Sequence, residues 1–76
     1  MSNQTNFAER LKKLREDKEL TPFDLSQKCG IREQNIRLYE KGRTPHSLSV
    51  YKKIAKPLGT TPEYLAFGTQ STESVA

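Results

Sequence analysis

Apolar residues recur along this chain at helical spacing and never alternate at the period of a strand. Phe7, Leu11 and Leu14 stand at i, i+4 and i+7, one stripe of a first helix running from about Asn6 to Lys18. Arg10, Lys12, Lys13 and Glu16 fall on its other faces. Asn6 followed by Glu9 is the capping-box pattern. A second helix opens at Thr21-Pro22-Phe23-Asp24. Thr21 caps it, and Pro22 fits the first position because its missing N–H would be unpaired there anyway. Asp24 suits the positive end of the helix dipole. Leu25 and Cys29 face inward, and Gly30 ends the helix in the left-handed conformation that glycine takes cheaply.

A third helix follows the short turn Gly30-Ile31-Arg32 and runs from about Glu33 to Lys41. Ile36 and Tyr39 share its inner face with Glu40 beside them, while Gln34, Arg37, Leu38 and Lys41 share the opposite face. Gly42 stops it, and residues 43–46 form a loop. A fourth helix begins after a capping Ser47 and carries Leu48, Tyr51, Ile54 and Ala55 inward. Pro57 is expected to kink or end it, and Gly59 closes it. Thr61-Pro62-Glu63 opens a short fifth helix that holds Tyr64, Leu65 and Phe67. Residues 1–5 are expected to be a flexible start, and the Ser/Thr-rich residues 69–76 a disordered tail. The expected fold class is all-α, with five short helices in one domain over residues 6–68 and no internal repeat.

At 76 residues the chain is one small domain at most. No apolar run approaches the ~20 residues that span a bilayer, and the polar start lacks the apolar stretch of a signal peptide. One cysteine makes no internal disulfide, and one cysteine with one histidine makes no closed zinc site. These counts exclude a secreted disulfide scaffold, a zinc finger and a membrane protein, and leave a reduced, soluble, basic module expected in the cytoplasm. An enzyme is disfavoured: the acidic residues sit on exposed helix faces or termini, His46 and Cys29 lie in different elements, and there is no Gly-rich phosphate loop.

The net charge of +4 is unevenly spread. Residues 1–27 are neutral, residues 28–56 carry a net +6, and residues 57–76 a net −2. An electropositive middle points to a polyanion partner or, in the bland reading, to a solvated face.

Residues 21–41 then have the form of a helix-turn-helix: two short helices, a tight Gly-containing turn, and a polar outer face on the second. A braced helix can enter the major groove and present a few side chains to base edges. Gln34 can pair with adenine, and Arg37 can reach guanine or a phosphate. Leu38 either meets a thymine methyl or is a scattered surface leucine.

The stretch from Phe7 to Gly68 resembles the phage-repressor and Cro-like helix-turn-helix family, often called the XRE family. The resemblance rests on Phe7-x-x-Arg10-Leu11-x-x-Leu14-Arg15, Leu25-x-x-Lys28-Cys29-Gly30-Ile31, Ile36-x-x-Tyr39-Glu40-x-Gly42-Arg43, Ile54-Ala55-x-x-Leu58-Gly59 and Tyr64-Leu65. Each piece is weak alone, and their order and spacing make the set specific. It implies a five-helix domain that binds double-stranded operator DNA as a homodimer and regulates transcription, as a repressor or Cro-like regulator encoded by a bacterium or a phage, with no cofactor, metal or small-molecule ligand. By position, it implies base reading by Glu33, Gln34, Arg37 and Leu38, with Glu33 equally explained as a helix-dipole partner. It implies phosphate contacts from Arg15, Arg32, Asn35, Lys41, Arg43, His46 and Ser47. It pairs Arg15 with Glu40, two charges that spacing alone would leave unrelated, and places a dimer surface near Leu58, Tyr64 and Phe67. Three positions depart from the pattern. Pro22 replaces a phosphate-clamping glutamine, Arg32 replaces a Ser or Thr cap typically worth ~1 kcal/mol, and Pro57 replaces a helix former. The alternative reading is an interaction module of the same fold, antitoxin-like, that docks onto a protein partner.

Overall fold

The computed structural model describes residues 6–68. The expectations for residues 1–5 and 69–76 lie outside them. Five helices follow one another: α1 (Phe7–Asp17), α2 (Pro22–Cys29), α3 (Glu33–Glu40), α4 (Leu48–Leu58) and α5 (Pro62–Phe67), with no strand among the described residues.

Local chemistry sets most boundaries. Asn6 Oδ1 accepts from the Glu9 N–H at 2.9 Å and starts α1. Thr21 and Asp24 satisfy each other's backbone N–H groups at 3.0 and 3.1 Å, a complete capping box at the start of α2. Thr61 Oγ1 accepts from the Tyr64 N–H in the same way ahead of α5. Gly30, Gly59 and Gly68 close α2, α4 and α5 in the left-handed conformation.

Each helix contributes one side chain to the centre. Leu11, Leu25, Ile36, Ile54 and Leu65, one from each of the five, are all 0% exposed. Fully burying such a side chain contributes about 1.5–3 kcal/mol against leaving it in water. Phe7 extends this core by meeting two tyrosines edge-on, Tyr39 of α3 at 6.0 Å and Tyr51 of α4 at 5.3 Å between ring centroids.

Several expectations are corrected. Arg10 is not on an outward face: it is 7% exposed, and its Nε and Nη2 donate to the Leu65 carbonyl while Nη2 also donates to the Ala66 carbonyl. It satisfies carbonyls at the end of α5, which a six-residue helix cannot bond internally. Leu48 is not inward but 57% exposed. It stands in the first turn of α4, beyond the core contacts that Ile54, Ala55 and Leu58 make further along. Ser47 stands at the cap position without capping, and its Oγ instead lies 3.1 Å from Ser49 Oγ. Pro57 does not end α4, which continues to Leu58. The ring forgoes one intrahelical hydrogen bond there, and Gly59 then closes the helix.

Candidate nucleic-acid interface

The outward face of α3 is built by exclusion. Ile36 is fully buried and Tyr39 half-buried, which turns Gln34, Asn35, Arg37 and Lys41 into solvent. Leu38 of the same face is half-buried. Arg32, Glu33, Gln34 and Arg37 line an open hollow at the start of α3. Arg32 makes no side-chain cap, so it is an exposed cation beside the uncapped N-terminus of the helix.

Glu33 is tied to Arg37. The Arg37 Nε and Nη2 both donate to Glu33 Oε2, at 3.0 and 2.6 Å, one turn apart on the helix. Both side chains are well exposed, so the pair contributes less than ~1 kcal/mol and breaks easily when a better partner arrives.

The angle of α3 is set from behind. Arg15 of α1 donates from Nε and Nη2 to the two carboxylate oxygens of Glu40, at 2.6 and 2.9 Å, and from Nη1 to the Leu20 carbonyl at 2.7 Å. One guanidinium thus joins α1, the turn after it and the last residue of α3. The Glu40 hydrogen bond raises the Arg15 pKa against the opposing effect of burial. Three of the five N–H donors of Arg15 are used inside the protein and the residue is 9% exposed, so it acts first as a brace.

Arg43, His46 and Ser47 are exposed along the loop and at the start of α4. No side chain caps the start of α4 beside them, although the Val50 N–H donates to the Ser47 carbonyl at 3.2 Å. Pro45 in the middle of that loop is buried and anchors it.

Leu58 is corrected from surface to core: at 2% exposure it has nothing to offer a partner. Tyr64 is half-buried and Phe67 is 76% exposed. Sequence reasoning missed that Leu48 joins Phe67. The two line one groove between the start of α4 and α5, with Pro62 and Ala66. It also missed Phe23, 53% exposed beside the groove between α2 and the start of α3. Neither helical period nor residue type singles these out, because both aromatic and aliphatic residues at such spacing ordinarily point inward.

No group of His, Cys, Asp and Glu among the described residues is arranged to hold a metal ion, and no described helix is long and apolar enough to cross a membrane. Cys29 is buried, and that burial raises its thiol pKa.

A family model described as a helix-turn-helix domain matches residues 6–67. Among solved structures, the chain is similar to a chain of a SinR protein/SinI protein complex, with a TM-score of 0.75 and 21% identity. The match covers 87% of this chain and 65% of that one, so the chain spans just under two thirds of the length of its solved neighbour. At that identity the likeness is one of fold.

Proposed function

The chain belongs to the helix-turn-helix domain family, and we propose that it is a sequence-specific, double-stranded-DNA-binding transcriptional regulator that represses from an inverted-repeat operator as a homodimer. The observation that carries this reading is the outward face of α3. It presents exposed Gln34, Arg37 and Lys41 on a short helix braced from behind by the Arg15–Glu40 pair. A bare docking face for a protein would be more apolar than this one.

In this reading residues 6–68 are the DNA-binding unit. Gln34 pairs with an adenine edge, and Arg37 releases Glu33 to take a guanine or a phosphate. Leu38 contributes an apolar contact from the same face. Glu33 acts chiefly by holding Arg37, which favours the structural role over cytosine reading. Arg32, Asn35, Lys41, Arg43 and the His46–Ser47 start of α4 hold the phosphate backbone and set register. The net +6 of residues 28–56 supplies the field that steers the duplex in. The groove of Leu48 and Phe67, together with half-buried Tyr64 of α5, is the proposed homodimer contact. The similar chain belongs to a SinR protein/SinI protein complex, and a protein partner for this chain is compatible with the same reading.

Salt tests it. For a protein that neutralises several phosphates, the logarithm of the affinity falls linearly with log salt, with a slope of roughly −0.9 per phosphate contact. The expected result is a steep loss between low and physiological salt. Binding to duplex DNA that ignores salt, or is absent at low salt, overturns the proposal.

A further inference from the structure

Four lysines line an open cleft that includes none of the residues assigned to base or phosphate contact. Lys18 at the end of α1, Lys28 in the last turn of α2, and Lys53 and Lys56 near the end of α4 surround about 650 Å³, with Leu20, Cys29 and Pro57 as the apolar floor. No residue of α3 lines it, and the hollow of Arg32, Glu33, Gln34 and Arg37 is separate. All four lysines are exposed, and among the described residues none is ion-paired.

Lysines near helix C-termini have an ordinary explanation, since each offsets the negative end of a helix dipole. The magnitudes decide how far it goes. Three helix ends reach this cleft, each worth roughly −0.5 charge at most, against four positive charges. A surplus of about +2.5 is left, and no acidic side chain lines the cleft to take it up. Lys18 bends across toward α4: a Cβ built at Gly59 would sit 3.6 Å from its Nζ. Lys18 thereby reaches the same end of α4 that carries Lys56.

The floor narrows the occupant. A duplex meets a lysine-rimmed cleft with its phosphates and keeps its apolar thymine methyls recessed in the major groove, and a small inorganic anion would leave the floor wet. An apolar centre inside a charged rim is the layout of a protein interface. We propose that this cleft docks an acidic segment of a partner protein, whose carboxylates meet Lys18, Lys28, Lys53 and Lys56 while an aliphatic side chain fills the floor of Leu20, Cys29 and Pro57. The inference rests on the cleft alone and does not use the DNA reading.

The test titrates the isotope-labelled full chain with a short peptide of alternating glutamate and leucine, following amide chemical shifts. Alternating glutamate–glycine and lysine–leucine peptides are the controls. The expected shifts cluster at Lys28, Cys29, Lys53 and Lys56, with binding on the order of tenfold weaker in K53E/K56E, clearly weaker for glutamate–glycine, and absent for lysine–leucine. K53Q/K56Q changes two exposed positions without reversing charge; its unchanged helical signal and intermediate affinity would separate lost docking from lost folding. Absence of shifts, shifts centred on α3, or equal binding of glutamate–glycine overturns the proposal. So does displacement of the peptide by random duplex DNA, which would make the cleft a phosphate surface. A failure of the DNA reading looks different: duplex would leave Gln34 and Arg37 unmoved while the peptide still docks.

Discussion

Arg15 and Glu40 face each other as a fork on a fork, Nε to Oε2 at 2.6 Å and Nη2 to Oε1 at 2.9 Å, with side chains only 10% and 11% exposed. The pair fixes α3 against α1 at the end opposite the turn, so the helix-turn-helix is held at both ends. Removing one partner leaves a nearly buried charge unanswered. Glu40→Ala is expected to destabilise the fold by about 3 kcal/mol, read from urea unfolding. Replacing both with well-packed apolar residues costs less than that single change. Equal losses from the single and the double change would contradict a buried, coupled pair.

The base-reading face predicts a division between two kinds of loss. Gln34→Ala should cost about 1–3 kcal/mol on the preferred site and relax preference at one base position. Lys41→Ala should weaken all sequences alike and reduce the salt slope by about 1. Lys52, exposed on α4, is the control and should matter little. Binding assays on a set of single-base variants check this; a uniform loss from Gln34→Ala would mean that it touches only the backbone.

Much of this was legible in the sequence, and the failures have a common cause. The caps at Asn6, Thr21 and Thr61 and the stops at Gly30 and Gly59 follow from backbone groups that only certain residues satisfy, and they stand where local chemistry puts them. The inner stripe of Leu11, Leu25, Ile36, Ile54 and Leu65 follows from period alone. Arg10 was not legible, because its burial depends on the carbonyls of Leu65 and Ala66, 55 and 56 residues away. Leu48 and Leu58 sit at opposite ends of one helix, and the period gives no hint that the core covers one end and not the other. The Arg15–Glu40 pair was legible only through family resemblance, since 25 residues separate the two charges.

Exposed Phe67 and Leu48 predict self-association through the α4–α5 groove. Phe67→Glu should weaken the dimer at least about tenfold, the equivalent of losing one buried aromatic side chain. Operator affinity should fall with it, while the thermal unfolding of the monomer stays near that of the parent chain. Sedimentation at matched concentrations checks it, and an unchanged distribution would remove this surface from the account.

Burial lifts the Cys29 thiol pKa, and the sign of its effect on stability follows. In the unfolded chain the thiol ionises in the ordinary range, while in the fold it keeps its proton to higher pH. Its contribution is therefore complete below the ordinary thiol range and is lost as pH rises through it toward the folded value. The urea midpoint of the parent chain should drop more steeply in alkali than that of Cys29→Ala. At neutral pH a thiol reagent should label Cys29 slowly until denaturant is added. Fast labelling of the folded chain would contradict a buried, protonated thiol.

The central claim, that α3 reads a specific site in duplex DNA, is tested most directly by selection from random duplexes at physiological salt, with sequencing of the bound pool. The account predicts enrichment of an inverted repeat whose half-sites lie about one helical turn apart, with Gln34→Ala relaxing one position in each half. A bound pool with no enriched motif would contradict it.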